Sequence, residues 1–407
     1  MANTRVGTYN AFDSAVRNIN SRYATLSSLQ ENLTSGKRVL RPSDDPTAAA
    51  QAERARTRIA RVETDQRALA LQKDSITTAE STLGEANDAL QSFRELVVSA
   101  GNGSYSATER AAILQQLTSL RDEIYAQANR SDSNGIPLFS GLGSAAPPFT
   151  TIAAGVQYQG IGGQSTGSAV SIPSTIDGDA TWMSVPTGNG VFTVDYAATN
   201  TGTAWTDVGQ VTNPSAVTGD NYTLQFSVVA GVTTYTVVDN TTASAVAGGP
   251  YTAGQAIAFD GISITPKGDP ANGDSFTIAP SQASDVFSVL DKAIAGIRNA
   301  AITTGTVSTT NVGTLTHGIT QALTQIDSAL QSIQTARGIA GDLLNRADRI
   351  NNSQTALSVQ HEADRSRVED MDMVQGISDF QNQQTGYSAA LQSYAAIQKL
   401  SLFNFIS

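Results

Sequence analysis

Apolar residues recur along this chain at two periods. Near the N-terminus Tyr9, Phe12, Val16, Ile19, Tyr23 and Leu26 alternate at three- and four-residue spacing, and Gln30 and Leu33 keep the register. That spacing is a coiled-coil seam. After a break, Asp45 is placed to cap a new helix with Pro46 at its first position. Val62, Leu69, Ile76, Leu83, Leu90 and Val97 then fall seven apart, with Asp65, Gln72, Ala79, Ala86 and Phe93 between them. A helix over 46–99 would be ~80 Å long at 1.5 Å per residue. GNGS at 101–104 turns the chain. Ser106 and Glu109 form a capping-box pattern ahead of Ile113, Leu117, Leu120 and Ile124, and this helix ends near Arg130.

The same helical period returns at the other end. Ser284 is placed to cap a helix carrying Val286, Leu290, Ile294 and Ile297, and a Thr- and Gly-rich stretch at 303–313 predicts a turn. Leu323, Ile326, Leu330 and Ile333 form a stripe that Leu343, Ala347, Ile350 and Leu357 continue. Met373, Ile377, Phe380, Tyr387, Leu391 and Tyr394 make a second three–four seam, with Gln384 as its polar member. The chain closes on Leu400, Leu402, Phe403, Phe405 and Ile406. Between the two helical regions the period drops to two. TLQFSVV (223–229) and TTYTVV (233–238) predict strands joined at Ala-Gly, and VFTVDY, AIAFDGISI and DSFTIAP read alike.

Composition divides the chain at the same places. All twenty Arg lie at or before Arg130 or from Arg298 onward, and all ten Glu at or before Glu123 or at Glu362 and Glu369. Residues 140–280 hold nine of the twelve Pro and neither Glu nor Arg. Helix formers therefore crowd the ends and strand formers the middle. The expected fold class is α+β: a long α-helical rod or coiled coil formed by paired N- and C-terminal arms, with an inserted mostly-β domain. The expected divisions are an inner coiled-coil arm and linker at 1–45, rod helices at 46–141, the β-rich insertion at 142–280, rod helices at 281–360 and a second inner arm at 361–407.

Charge narrows the function. Of the 407 residues 36 are acidic and 25 basic, a net charge of −11, which argues against nucleic acid as a partner. With no Cys and only His317 and His361, thiolate metal sites, cysteine nucleophiles and three-His sites are excluded. No apolar run approaches the ~18 residues of a membrane span. Arg17 and Arg22 interrupt the place where a secretory signal would need its apolar centre, so export, if it occurs, is expected to use another route.

Few residues suggest chemistry. Gly162 to Gly167 has the glycine spacing of a phosphate loop but is followed by Ser168, not Lys and Ser or Thr. It reads as a loop of the β region. The carboxylate pairs Asp44/Asp45, Asp177/Asp179 and Asp370/Asp372 lack calcium-loop spacing and read as caps or solvated groups. Neither His lies in a nucleophile motif. No catalytic, metal or cofactor residue is expected. A chain end rich in large apolar residues calls instead for a partner surface.

Several motifs in order then carry a family resemblance. SGKRVLRPSDDPTAAAQA at 35–52 resembles the N-terminal signature of the flagellar hook-associated protein 3 family. Gly36, Arg41, Pro42, Ser43, Asp44, Asp45 and Pro46 carry it. Flagellins share its looser Ser-Gly and Asp-Asp parts. SNGIPLFSG at 133–141 is similar to the family's turn, with Pro137 where an aromatic usually stands. RGIAGDLLNR at 337–346 and the segment from Val368 to Ile406, with its Ser401-Leu402-Phe403 ending, resemble the flagellin-type C-terminal region. The resemblance implies an extracellular structural protein of the bacterial flagellum at the hook–filament junction, exported by the flagellar type III apparatus. It implies other copies in a ring, a neighbouring hook-associated protein, flagellin, and an export chaperone on the C-terminal helix as partners. Tyr9, Phe12, Val16, Ile19, Tyr23, Leu26, Ile377, Phe380, Tyr387, Leu391, Tyr394, Leu402, Phe403 and Phe405 are the expected assembly interface. A flagellin filament subunit is the alternative, and a secreted adhesin with a β domain a more distant one.

Overall fold

The helical stripes fold as α1 (Thr8–Ser35), α2 (Pro46–Ala100), α3 (Ala107–Ala128), α4 (Val286–Asn299), α5 (Val312–Glu369) and α6 (Met373–Ile406). The computed structural model describes residues 8–299, 301–304, 307–310 and 312–406, with side chains over 12–299 and 312–396. The predicted caps form. Asp45 Oδ1 accepts the Ala48 amide at 3.0 Å, and the Ser106–Glu109 capping box closes reciprocally. At α4 the cap is Asp285, whose Oδ1 accepts the Ser288 amide at 2.7 Å, not Ser284. α5 runs unbroken past residue 360. The chain breaks at 370–372, where Asp372 Oδ1 caps α6 through the Val374 and Gln375 amides.

The chain divides into two units, residues 1–67 with 351–407, and residues 68–350. In the second, the α2 heptad positions Ile76, Leu83, Leu90 and Val97 are fully buried. They share a core with Leu117 and Ile124 of α3, Phe287 and Leu290 of α4, and Ile326 and Ile333 of α5. Ion pairs set the α2–α5 register on the surface: Lys73–Asp348 at 2.6 Å, Arg94–Asp327 at 2.7 Å and Arg337–Glu80 at 2.7 Å. Such exposed pairs are worth ~0–1 kcal/mol each, so they choose the register while the apolar stripe supplies the stability. On α5 the inward face follows the step from Leu343 to Gln354, which is 3 % exposed, not the heptad step to Leu357, which is 47 % exposed. Eleven residues match three straight helical turns to within about 20°, whereas two heptads fall about 40° short of four.

The strands run β1 (Phe149–Ile152), β2 (Gly155–Tyr158), β3 (Val185–Pro186), β4 (Phe192–Tyr196), β5 (Trp205–Thr206), β6 (Gln210–Val211), β7 (Tyr222–Val229) and β8 (Val232–Asp239). β9 (Ser244–Pro250), β10 (Ile257–Phe259), β11 (Ile262–Ile264), β12 (Pro266–Lys267), β13 (Ser275–Pro280) and β14 (Ala283–Ser284) follow. The low-charge span 142–280 feeds two cores. Phe149, Ile176 and Trp182 join the helical core, with the Trp182 ring stacked on Phe287 at 6.0 Å. From Phe192 to Ile278 the apolar residues build a core of their own under a five-stranded antiparallel sheet ordered β4-β13-β7-β8-β9. Its central hairpin turns through Ala230 and Gly231, both at positive φ, the backbone a two-residue hairpin requires. The stretch at 301–310 pairs as a hairpin, β15 (Ala301–Thr304) with β16 (Val307–Thr310), where a turn is expected. Its β-branched residues favour extended backbone.

His317 of α5 is buried against the sheet. The Ala197 amide donates to Ser275 and the Ser281 amide to the Val191 carbonyl, so the odd-numbered residues of β4 bond β13 and Val194 faces the open edge. His317 Nε2 donates to the Val194 carbonyl at 3.1 Å, and its ring lies 5.6 Å from both Tyr196 and Phe276. An edge acceptor that could recruit another strand is thereby occupied.

Candidate assembly surfaces

The terminal helices pair with little to bury. Phe12 meets Tyr394 at 5.0 Å between ring centroids and Tyr23 meets Tyr387 at 6.0 Å, so α1 and α6 run antiparallel. Gly376 and Gly386 are close-approach points, where a Cβ would fall 3.1 Å from Leu33 Cδ2 and 2.6 Å from Arg22 Nη1. Phe12, Val16, Ile19, Leu26, Phe380, Tyr387 and Tyr394 are only half-buried, and Tyr23, Ile377 and Leu391 are exposed. Among the described side chains of 12–35 and 373–396, Gly376 alone is buried. Tyr9, Leu402, Phe403 and Phe405 lie outside the residues whose side chains are described. A two-helix pair covers one face of each helix, and here the apolar residues spread wider than that face. Val374, 81 % exposed, shows the excess.

The segment Gly36–Pro46 folds into a clasp between this pair and the helices beside it. Gly36 leaves α1 at φ +72°, the left-handed conformation that ends many helices. Its carbonyl accepts the Met371 amide at 2.9 Å, and the Arg38 amide donates to the Glu369 carbonyl at 2.8 Å. The α1–α2 turn is thus stitched to the α5–α6 break by main-chain bonds. Arg41 and Asp44 hold the turn: Asp44 Oδ2 accepts the Leu40 and Arg41 amides at 3.1 and 2.8 Å, and Arg41 donates to Glu31 at 2.7 Å. Pro42 and Pro46 line a groove of about 590 Å³ with Val39, Leu40 and Ala49. Ser43 is exposed. Bonds from the Ala48 amide, then Thr47 and Arg38, hold the Asp45 carboxyl below its ordinary range.

At the centre of the clasp is Glu369, a residue the sequence reading passed over. Its side chain is 4 % exposed and pairs with Lys37 at 2.6 Å, with Arg56, and with Arg365 at 3.8 Å. Burying a carboxylate is costly unless it is paired, and three cations converge on this one. The available signal was its rarity, since only Glu362 and Glu369 occur after Glu123.

The remaining chemical candidates are structural. Asp177 Oδ1 accepts the Asp179 amide, and its Oδ2 accepts the Gly163 amide. The loop through Gly167 is held by Arg346, which donates to the Thr166 carbonyl and to Ser168 O at 2.9 Å. Carbonyls turned onto an arginine do not form an anion cradle. His361 is half-buried on α5. Among the described residues no three His, Asp or Glu side chains are grouped to hold a metal ion, and no helix is long and apolar enough to cross a membrane.

Residues 6–144 match the bacterial flagellin N-terminal helical region, and residues 196–280 match the flagellar hook-associated protein 1, D2-like domain. The crystal structure of the flagellar junction protein FlgL from Legionella pneumophila superposes with a TM-score of 0.67 at 30% identity, covering 74% of this chain and 99% of that one. The chain belongs to the flagellar hook-associated protein 3 family. Flagellar hook-associated protein 3 of Salmonella typhimurium is 32% identical over 190 residues, which are 46% of this chain and 56% of that protein. The chain thus spans little more than half the length of the curated family member it matches. A flagellin from Clostridium tyrobutyricum is 24% identical over 90% of this chain and 92% of its own length. The match to residues 6–144 takes in the clasp signature, the element on which the family resemblance rests.

Proposed function

We propose that this chain is a structural, non-catalytic subunit of the flagellum that joins the hook, through a second hook-associated protein, to the flagellin filament. The observation that carries this reading is the α1–α6 pair, whose apolar seam a single copy leaves half-uncovered. Tyr9, Phe12, Val16, Ile19, Tyr23 and Leu26 on one helix, with Ile377, Phe380, Tyr387, Leu391, Tyr394, Leu402, Phe403 and Phe405 on the other, form the surface that packs on neighbouring copies in a ring. The signature residues fix the angle at which the pair leaves the clasp. Before assembly the C-terminal helix is the segment a chaperone would cover, and the type III apparatus would carry the chain out. The outer lobe at 192–280, with its own core, is not needed for the axial stack.

Electron microscopy of a strain lacking the chain tests this. Bare hooks, with flagellin subunits released into the medium, are expected. Filaments that stay attached overturn the junction reading. Bare hooks without released flagellin point to the filament-subunit alternative, which the full-length likeness to a flagellin supports.

A further inference from the structure

The lobe built on the second core carries a cavity of its own. It opens at the rim of the β core, between the end of β9 and the turn leading into β10, with a volume of about 210 Å³. Two tyrosines wall it. The Tyr251 ring is fixed in place by its hydroxyl, which donates to the Gly268 carbonyl at 2.8 Å, and by edge packing on Phe226 at 5.1 Å. Tyr235 is half-buried across from Gly249, its registered partner on β9. Gly248 and Gly249 form the floor and leave the Tyr235 ring open, since a Cβ at Gly249 would stand 3.9 Å from its edge. Thr252 and Gln255, both exposed, put a hydroxyl and an amide at the mouth.

No charged side chain lines this cavity, although residues 142–280 carry nine Asp against the one Lys267. An anion would be repelled by the surrounding field, and a cation would find no counter-charge inside. A ligand that matches has an apolar face for an aromatic ring, a polar edge for an amide and a hydroxyl, and no charge. The volume lies below the roughly 300 Å³ of drug-sized pockets, enough for one ring. The geometry points to a neutral saccharide site: a pyranose lays its C–H face on Tyr235 and exchanges hydroxyl hydrogen bonds with Gln255 and Thr252. The rigid rings and the strand floor preorganise it. This site stands independently of the junction reading.

Titration of the full chain with N-acetylglucosamine, galactose and mannose, followed through backbone amide resonances, tests it. At least one of the three should shift the amides of Gly248, Gly249, Thr252 and Gln255 saturably, with a Kd of about 1–10 mM. N-Acetylneuraminic acid should not. Gln255→Ala, an exposed change, should weaken binding about fivefold. Gly249→Val, which suits a strand and fills the floor, should abolish it while the remaining amide spectrum stays folded. A trisaccharide that binds more tightly than its monosaccharide would assign the ligand to a glycan chain, and equal binding to the free sugar. Absence of saturable shifts at 50 mM sugar, shifts elsewhere on the lobe, or binding unchanged in both variants overturns the proposal.

Discussion

His317 sets a pH limit on how firmly the five-stranded sheet holds to α5. The side chain is 4 % exposed, and burial lowers its pKa to about 4 against an ordinary 6.5, the neighbouring Val194 and Thr206 carbonyls only partly opposing the shift. A group depressed in the folded state contributes stability above its unfolded pKa and loses it as pH falls from 6.5 toward 4. Below 4 both states bind the proton and no further loss occurs. At ~1.36 kcal/mol per pKa unit the full loss is about 3 kcal/mol, with about 2 kcal/mol gone between pH 7 and 4.5. His317→Gln is the informative variant, because its amide can still donate to the Val194 carbonyl but cannot titrate. Urea unfolding at both pH values, followed by the fluorescence of Trp182 and Trp205, gives the comparison. Wild type should lose about 2 kcal/mol more than the variant on acidification. Parallel losses, within about 0.5 kcal/mol, would refute the reasoning that links burial to this titration.

Ile377→Asp replaces an exposed apolar side chain, so the free chain should melt as wild type does, within about 0.5 kcal/mol, yet fail to join hook tips in an add-back assay. Glu369→Gln leaves Lys37, Arg56 and Arg365 facing a neutral amide. It should cost about 1–3 kcal/mol, since the cations can turn to water, and should speed proteolysis between α1 and α2. Phe287→Ala removes a ring packed against Tyr125, Phe149 and Trp182, and calorimetry should register a loss of about 3–5 kcal/mol. Ser106→Ala breaks one capping box and should cost about 1 kcal/mol without affecting assembly.

Local patterns carried much of this fold. The α2 heptads, the Asp45 and Ser106 caps, and the 223–238 hairpin each follow from interactions within a few residues, so their residues announce them. Long-range partners did not show. Asp285 outcompetes Ser284 as a cap because its carboxylate reaches the Ser288 amide, a matter of angle that residue type leaves open. Trp182 and Phe149 sit in a β-like composition but pack on Phe287, more than a hundred residues away, so composition could not allot them to the helical core. The clasp was visible as a motif. Its reason, the buried Glu369 and main-chain bonds across more than three hundred residues, needed the coordinates. Leu357 misled because heptad counting overruns the pitch of a straight helix.

The central claim is that the half-covered α1–α6 seam is completed by neighbouring copies. Hydrogen–deuterium exchange of those helices, in the free chain and in purified hook–filament junctions, tests it most directly. Segments that open easily exchange near the intrinsic rate, and buried ones slow toward the global limit. The account predicts fast exchange over residues 12–35 and 373–396 in the free chain, slow exchange over 69–97, and slowing of the terminal segments by at least about a hundredfold on assembly. Terminal helices already as protected as α2 in the free chain, or unchanged in the junction, would contradict it.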